Sequence, residues 1–479
     1  MYRSIACLIV IGLILMVRPA FAEEGPQVKF EAGYPAQSSI QGLYDELDYQ
    51  RAVQAYIWAT PAVAGASFIE GAKRDLGASL NKIVIWESSA NPQTVVFTGN
   101  SQSIYSIGIV DLEKYGPVVA ELPPNVLGMV NNVWYYPLSD VGIAGPDQGK
   151  GGKYLILPPN YAGEVPEGYF PVQSDTYDVI WLVRGFLKDG KPDAAISDLK
   201  KIKVYPLAEK DNPPPTSSIN ASVNPSDLTF PTGYDFFKVL AGVIQKEPVR
   251  EKDKDMLGML SSLGIEKGRP FNPDERILSI LKRAAETGNA MARAIAYNSR
   301  NAKKNPYPDR QWEWIFLTDK PTFETETFTD LEARVTYLHQ ACFTANAMVM
   351  KSVGKGSQYL AAYKDKDGKW LEGANSYRMH LPANVPVKDF WSLMMYDSET
   401  RSMVVTDQGT AGVDSYGQVK KNTDGSIDLY IGPTAPKGYE SNWVKTIPGK
   451  GVFAYLRWYG PTEAFFDKSW KPGDFELVK

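Results

Sequence analysis

Lys82-Ile83-Val84-Ile85-Trp86 is a short run of β-branched and aromatic residues, and similar runs follow it along the chain. They are Thr94-Val95-Val96-Phe97, Val133-Trp134-Tyr135-Tyr136 and Tyr154-Leu155-Ile156-Leu157. Gly, Pro, Asn and Asp separate these runs, which is typical of a β-sandwich rather than of βαβ units. We therefore predict an N-terminal β-sandwich domain over residues 41–210.

The segments that flank these strands have other patterns. Residues 23–40 are polar and contain Gly and Pro, so an extended arm is predicted there. Helical spacing of apolar residues follows over Leu43–Gly71 and is interrupted at Pro61. A Pro/Ser linker is predicted over residues 211–227, because three consecutive prolines fix φ and remove backbone donors.

Residues 228–325 are predicted to form a helical region. Asn272-Pro273-Asp274-Glu275 combines a capping residue, a first-turn proline and early acidic residues, which together mark the start of a helix. Apolar residues then recur at helical spacing from Ile277 to Ala285. Leu331–Lys351 is predicted to be a further helix.

The C-terminal domain is predicted over residues 326–479. Its short strands are joined by Asp-Gly turns at Asp367-Gly368 and Asp424-Gly425, a dipeptide that tolerates the positive φ of tight hairpins. Several such strands and an aromatic-rich tail indicate a second sandwich or a jelly roll. The fold class predicted is mainly β with a helical insert.

Residues 1–22 are predicted to be a cleavable signal peptide. Arg3 precedes an apolar run over Ile5–Val17, and Ala20 and Ala22 give the small-x-small pattern of a cleavage site. The apolar run is shorter than the roughly 20 residues that a spanning helix needs. We expect a periplasmic or secreted protein; a retained anchor is the alternative.

Composition excludes some classes of partner and of stabilisation. The net charge of −4 becomes more negative if Arg3 and Arg18 are removed, so no nucleic-acid partner is expected. No membrane span is predicted after cleavage. Cys342 is then the one remaining cysteine, so the domain must be stabilised by buried area rather than by a disulfide, and a buried structural thiol is favoured over a nucleophile.

Several C-terminal segments resemble a named family, the domain of unknown function twelve-fourteen. They include Tyr396-Asp397-Ser398-Glu399-Thr400-Arg401-Ser402-Met403, Asn422-Thr423-Asp424-Gly425-Ser426, Pro448-Gly449-Lys450-Gly451 and Trp470-Lys471-Pro472-Gly473-Asp474. Residues 45–207 resemble its usual partner, the domain of unknown function twelve-fifty-four. The resemblance implies an N-terminal immunoglobulin-like sandwich, a helical insert and a C-terminal jelly-roll sandwich, and it implies no established chemistry.

One segment departs from the pattern that the resemblance implies. An Asn-x-Asp-Thr-x-Tyr-like segment is expected in the first domain, and the chain has Asn100-Ser101-Gln102-Ser103-Ile104-Tyr105. An amide does not titrate, so Gln102 could not replace an acid that served relatives as a ligand or base.

Known catalytic and metal-binding motifs provide little evidence for a function in this sequence. The chain has no Gly-x-Ser-x-Gly elbow and no His-Glu-x-x-His. With only His339 and His380, a His-rich zinc site is impossible, and no metal ligands or cofactor are predicted. Calcium or magnesium stays open, because carboxylates and carbonyl oxygens suffice for either ion. The two Asp-Gly segments look faintly like calcium loops, but hairpin turns are favoured.

The most suggestive constellation is Ser376-Tyr377-Arg378-Met379-His380-Leu381. In a strand, Arg378 and His380 share one face, where Arg378 could bind an anion and His380 could move a proton. Asp397 is predicted to orient His380, and Arg401 to contribute to substrate binding. The simpler alternative is an ordinary ion-pair cluster on a sheet face.

The aromatic tail offers a second candidate surface. Alternation places Tyr455, Arg457 and Tyr459 together on one strand face, and they are predicted, with Trp391, to bind substrate. Such rings stack on saccharides, but large rings more often belong to the core. Trp458 is expected to be packed on the opposite face.

Three functions remain open from sequence. The first is a hydrolase acting on an anionic or glycosidic substrate through Arg378, His380 and Asp397. The second is a non-catalytic module that binds a small molecule or saccharide, or associates with the cell envelope. The third is an assembly protein whose helical insert forms homo-oligomers.

Overall fold

The computed structural model describes residues 28–88, 92–188 and 190–478. The predicted signal peptide, residues 1–22, lies outside these ranges. Within the predicted arm, Phe30–Glu31 (β1) pairs with Tyr34–Pro35 (β2) in a small hairpin. Helix α1 already begins at Gln37, so the last four residues of the predicted arm are helical.

The N-terminal domain is a sandwich of two sheets. A six-stranded sheet has the order β13-β3-β5-β11-β7-β8, a four-stranded sheet has the order β10-β9-β6-β12, and β4 pairs with β14. A core of Val, Ile, Leu, Tyr and Trp side chains fills the space between the sheets. The strands are β3 Lys82–Ile85, β4 Thr94–Val95, β5 Ile104–Asp111, β6 Val118–Leu122, β7 Leu127–Asn132, β8 Pro137–Gly142, β9 Gly152–Leu157, β10 Tyr169–Gln173, β11 Asp178–Gly185, β12 Lys203–Pro206, β13 Ser217–Asn220 and β14 Ser226–Asp227.

The run Val133–Tyr136 is not the strand that its composition predicts. It forms the turn between β7 and β8, with Tyr135 at φ 53°. The Asn132 side-chain oxygen accepts hydrogen bonds from the backbone N–H groups of Trp134 and Tyr136, at 2.9 and 3.0 Å. This Asx-type turn overrides the β propensity of the aromatic residues.

The predicted Pro/Ser linker is partly built into the N-terminal domain. Residues 217–220 form β13, which runs parallel to β3 at the edge of the six-stranded sheet. The Thr216 hydroxyl also accepts a hydrogen bond from the backbone of Val204 at 2.8 Å. Residues 226–227 form β14, so the parts of the predicted linker without sheet pairing are residues 211–216 and 221–225.

The first helix, α1 (Gln37–Leu76), is continuous through Pro61, where the sequence pattern predicts an interruption. The residues around Pro61 are buried on every side, so packing compensates for the one backbone hydrogen bond that proline removes. By length and composition this helix could cross a membrane, but 83% of its most apolar window is buried inside the protein. Such burial is typical of a helix in the core of a folded domain.

The helical insert packs on α1 through α4, α5 and α6, and α7, which follows the insert, also packs on α1. Helix α6 begins in the predicted segment, with Asp274 as its N-cap, which accepts a hydrogen bond from the Ile277 N–H at 2.8 Å; Pro273 precedes the helix, so the predicted first-turn proline is wrong. The prediction of one helix over Leu331–Lys351 is wrong, because residues 339–345 are not helical. The helices after α1 are α2 Leu112–Tyr115, α3 Asp193–Leu199, α4 Asp235–Lys246, α5 Lys254–Ser261, α6 Glu275–Tyr297, α7 Leu331–Leu338, α8 Asn346–Val349 and α9 Glu463–Phe466.

The C-terminal domain is a second sandwich. Its sheets have the orders β15-β16-β22-β18-β19 and β21-β20-β17-β23. The predicted hairpin turns form at Asp365–Lys369 and at Asn422–Ser426. The architecture of two sandwiches and a helical insert is therefore confirmed. The strands are β15 Glu313–Trp314, β16 Ser357–Ala362, β17 Tyr377–Leu381, β18 Val387–Asp397, β19 Gly412–Asp414, β20 Ile427–Gly432, β21 Trp443–Lys445, β22 Val452–Pro461 and β23 Phe475–Leu477.

The two sandwiches are joined by direct hydrogen bonds around Thr98 and Gly99. The Thr98 N–H donates to the Arg401 carbonyl at 2.8 Å, and the Tyr396 hydroxyl donates to the Gly99 carbonyl at 2.7 Å. One continuous apolar core extends from α1 across this junction into the C-terminal sandwich. The junction is thus part of the folded core rather than a loose contact.

Candidate functional site

Strand β17 has the alternation that its sequence predicts. Tyr377, Met379 and Leu381 are buried, while the side chains of Arg378 and His380 are both 44% exposed on the opposite face. Each has a carboxylate partner: Arg378 Nη2 lies 2.9 Å from Glu476 Oε2, and His380 Nδ1 lies 2.8 Å from Asp428 Oδ1. The predicted pair therefore does share one accessible sheet face.

Asp397 does not orient His380. It ends β18 in the other sheet of the domain, where its Oδ1 accepts hydrogen bonds from the backbone N–H groups of Glu399 and Thr400 at 2.7 and 3.0 Å. Its role is to cap the turn that follows the strand. The carboxylate beside His380 is Asp428, on the neighbouring strand β20.

Arg401 also lies away from the β17 face. Its guanidinium is buried between the rings of Phe97 and Phe230, at 4.5 and 4.7 Å from their centroids. Its Nη1 donates to the His339 carbonyl at 3.1 Å. Burial lowers the pKa of His339 well below its usual range, and the charge of Arg401 adds to that shift. His339 is therefore neutral and is not an accessible proton carrier.

The predicted face of β22 does exist, but it is turned toward the N-terminal domain. Tyr455, Arg457 and Tyr459 are 2%, 5% and 5% exposed. Trp458 packs on the opposite face, inside the C-terminal sandwich, as predicted. Trp391 pairs with Trp458 in register and is buried as well, so its predicted contact with a substrate is not available.

A cavity of about 160 Å³ lies against this buried face. We call it the interdomain chamber. Its walls come from the outer face of the six-stranded N-terminal sheet, from α1, from the segment after α7 and from the C-terminal strands β16 and β22. The lining residues are Phe68, Trp86, Thr94, Val96, Phe97, Thr98, Gly99, Asn100, Tyr105, Ile107, Met129, Leu182, Leu228, Ile315, Tyr337, Ala341, Cys342, Phe343, Met348, Tyr359, Tyr455 and Arg457.

The polar groups of the interdomain chamber form two neighbouring hydrogen-bonded groups. Arg457 Nη1 donates to the Tyr396 hydroxyl at 2.7 Å, and Nη2 donates to the Thr98 carbonyl at 3.0 Å. Two residues further along the chain, Asn100 Nδ2 donates to the hydroxyls of Tyr459 and Tyr105 at 2.7 and 3.1 Å. The remaining wall is mainly aliphatic and aromatic, so the chamber combines an apolar space with one polar patch.

Arg457 is the charged group of this patch, and it has no counter-ion nearby. Among the residues that the structure describes, no carboxylate lies within 4.0 Å of its guanidinium. The Tyr455 hydroxyl is likewise buried without a hydrogen bond of normal geometry in the described part of the chain, although Thr98 is close enough to affect its pKa. The rings of Tyr359, Tyr396 and Tyr455, at 5.7, 5.7 and 5.3 Å from the guanidinium, offset part of the cost of burying this charge, and an anion would offset more of it.

Cys342 lies in the wall as a half-buried thiol. Burial raises its pKa to about 12, so the thiol stays protonated at neutral pH. A protonated thiol is a poor nucleophile. The structure thus fits the structural role predicted for this cysteine.

The sequence singles out the Asn100–Tyr105 segment because Gln102 stands where an acid is expected. Only the fold shows where this segment lies. Asn100 and Tyr105 line the interdomain chamber, while Gln102 is buried at the junction of the domains with its Nε2 at 3.3 Å from Asp414 Oδ2. The Gln102 Oε1 atom has no hydrogen-bond partner in the described residues. Gln102, which occupies the position where the family resemblance implies an acid, therefore lies beside the interdomain chamber and not on the β17 face.

Potential metal ligands are scattered in the fold. Within residues 28–88, 92–188 and 190–478, no group of three or more His, Cys, Asp or Glu side chains is placed to hold a metal ion. At one of the two calcium-like segments, Asp365 Oδ1 accepts hydrogen bonds from the backbone N–H groups of Asp367 and Lys369, both at 3.0 Å, as an ordinary turn residue does.

Comparisons with known proteins agree with this two-domain layout. A family model described as "Protein of unknown function (DUF1254)" matches residues 80–206, and one described as "Protein of unknown function (DUF1214)" matches residues 356–463. No curated protein matches the chain.

Two solved structures are similar over nearly the whole chain. The VPA0106 protein from Vibrio parahaemolyticus is 19% identical, covers 90% of this chain and 100% of its own, and gives a TM-score of 0.55. A putative uncharacterized protein from Burkholderia cenocepacia is 12% identical, with coverages of 92% and 97% and a TM-score of 0.38. At 19% identity the first likeness shows the fold alone. This chain therefore carries a DUF1254 domain followed by a DUF1214 domain, the pairing that its sequence resembles.

Proposed function

We propose that the protein is an exported binding protein for a small organic anion, which it holds in the interdomain chamber. The observation that carries this proposal is Arg457, a buried guanidinium on the chamber wall without a carboxylate partner among the described residues. Its two hydrogen bonds use neutral acceptors and leave other N–H donors free for a ligand. A carboxylate at this point would supply the missing negative charge.

The size and lining of the chamber indicate what the rest of the ligand is. A volume of about 160 Å³ is close to that of cavities known to hold one benzene molecule, roughly 150 Å³. Phe97, Ile107 and Met129 offer such a ring an apolar surface. We therefore expect an arylcarboxylate or a similarly sized aliphatic acid, with its anionic group at Arg457 and Tyr455.

Export is part of this proposal and rests on the sequence pattern of residues 1–22. The pattern of a charged start, a short apolar run and a small-x-small site supports export.

Filling the interdomain chamber is expected to prevent binding. Phenylacetate serves as the probe and phenylethanol as its neutral analogue, and the fluorescence of Trp86 in the wall reports on both. For ligands of about ten heavy atoms we expect a Kd of about 0.1–1 mM with the wild type. Ala341→Phe places a ring in the chamber and is expected to raise both Kd values at least about tenfold.

A matched variant controls for the added ring. Ala294 lies on α6 in a different surface groove, so Ala294→Phe is expected to leave both Kd values unchanged. Thermal melting confirms that each variant is folded. Unchanged phenylacetate binding in a folded Ala341→Phe protein would show that the ligand binds elsewhere.

A second candidate function is hydrolysis on the β17 face. The observation in its favour is the 2.8 Å contact between His380 Nδ1 and Asp428 Oδ1, with Arg378 two residues away on the same face. A carboxylate so placed orients an imidazole ring, which general acid–base catalysis requires. Against it, Arg378 is already paired with Glu476, and the face is open to solvent.

This second function makes a simple prediction. His380→Ala is expected to abolish turnover of para-nitrophenyl esters or glucuronides while the protein stays folded, and Asp428→Asn is expected to reduce it. Steady-state kinetics on both variants and the wild type provide the measurement. Turnover that survives in His380→Ala, or a wild type with none, removes the mechanism.

A further inference from the structure

A second cavity lies next to the interdomain chamber and opens to solvent. It has a volume of about 480 Å³ and is lined by side chains on both sides of β15, by the segment around α8 and by Lys468 near α9. We call this cavity the vestibule. Three residues, Ile315, Met348 and Tyr359, line both the vestibule and the chamber.

These three shared residues form the partition between the two spaces. Met348 is half-buried, and its side chain has three rotatable bonds, so it can move aside at low cost. Tyr359 is half-buried too, with its hydroxyl hydrogen-bonded to the Ser357 hydroxyl. Met348 is therefore the most adjustable side chain of this partition.

The vestibule carries positive charge on a protein that is negative overall. Lys303, Lys351 and Lys468 line it and are exposed, against the single carboxylate of Asp319. Asp319 pairs with Lys351 at 3.2 Å. Among the described residues, no carboxylate lies within 4.0 Å of the Lys303 or Lys468 ammonium groups. The formal net charge of the whole chain is −4, so the positive charge of the vestibule does not follow from the overall composition.

We infer that the vestibule is the entrance to the interdomain chamber and that its lysines select anionic ligands by attracting them electrostatically. This inference rests on the proposed function and adds to it the route and the charge selection. Clefts of one sign raise the association rate of oppositely charged ligands by about 10- to 1000-fold at low ionic strength. Arg457 then holds the anion inside, while the lysines act only on its approach.

The test separates the rate of entry from the strength of binding. Stopped-flow fluorescence measures the association and dissociation rates of phenylacetate with the wild type and with Lys303→Glu/Lys468→Glu. At low salt the double variant is expected to associate about tenfold more slowly, with the dissociation rate unchanged. At about 1 M salt the difference is expected to disappear, because the Debye length is then about 3 Å.

A double variant with the same change of charge provides the control. Lys421 and Lys437 are exposed and lie outside the vestibule lining, so Lys421→Glu/Lys437→Glu is expected to keep the wild-type association rate. Phenylethanol, which is neutral, is expected to associate equally fast with all three proteins.

The outcomes distinguish the two proposals. If the wild type binds phenylacetate and reversal of the vestibule charge leaves its association rate unchanged, the entrance is elsewhere and this inference is overturned, while the proposed function stands. An equal loss of rate in the control variant would also overturn it, because the effect would then be one of net charge. If the wild type binds neither probe, the proposed function fails and the inference fails with it.

Discussion

Arg457→Met is expected to weaken phenylacetate binding by about 10- to 100-fold and to change the Kd of phenylethanol by less than about threefold. A charge-assisted hydrogen bond contributes about 1.5–3 kcal/mol, and only the carboxylate ligand can make one with the guanidinium. Methionine is similar in length and apolar, so the chamber keeps its shape. Isothermal titration calorimetry with the two probes measures the difference.

The fold should tolerate this substitution. The Tyr396 hydroxyl loses the guanidinium as a partner, but it still donates to the Gly99 carbonyl at 2.7 Å. Removal of a buried charge that lacks a counter-ion offsets the loss of its hydrogen bonds. Arg378→Met is the matched control, because Arg378 is paired with Glu476 on the distant β17 face, and its loss should leave both affinities unchanged. Equal losses for phenylacetate and phenylethanol in Arg457→Met would contradict a charge-specific role.

The second large effect concerns the stability of the fold. Gly65→Ala is expected to lower the free energy of unfolding by about 3–5 kcal/mol. A Cβ atom at Gly65 would lie 2.0 Å from the carbonyl oxygen of Val133, which is backbone and cannot rotate away. Helix α1 would have to move off the turn between β7 and β8, and that shift would disturb the wall of the interdomain chamber.

Gly242→Ala is the matched control for the helix propensity of alanine. Gly242 lies within α4, and a Cβ atom added there would meet no described atom within 4 Å outside its own helical turn. This substitution is expected to stabilise the protein by about 0.5–1 kcal/mol. Urea unfolding followed by circular dichroism compares both variants with the wild type. A Gly65→Ala protein as stable as the wild type would show that α1 is not held against this turn.

Periodicity predicted the parts of the site that depend on one strand alone. The alternation of β17 and β22 follows from the twofold repeat of a strand, so it correctly separated Arg378 and His380 from Met379, and Arg457 from Trp458. It could not say which sheet each strand joins. Asp428, the partner of His380, lies 48 residues further along the chain, and only the pairing of β17 with β20 brings it near.

The interdomain chamber could not be predicted at all from local patterns. Its walls come from segments between Phe68 and Arg457, and each of these segments resembles an ordinary helix, strand or loop by itself. Burial of β22 against the N-terminal domain turned a predicted surface into an interior wall. The same tertiary packing keeps α1 continuous through Pro61, where propensity alone indicates a break.

The most direct test of the binding site is a crystal structure of the protein with para-bromophenylacetate, in which anomalous scattering locates the bromine. We expect one strong anomalous peak in the interdomain chamber beside Phe97 and Met129, with the ligand carboxylate at hydrogen-bond distance from Arg457. A bromine peak outside the chamber, with the chamber empty in a crystal that holds the ligand, would contradict the proposed binding site.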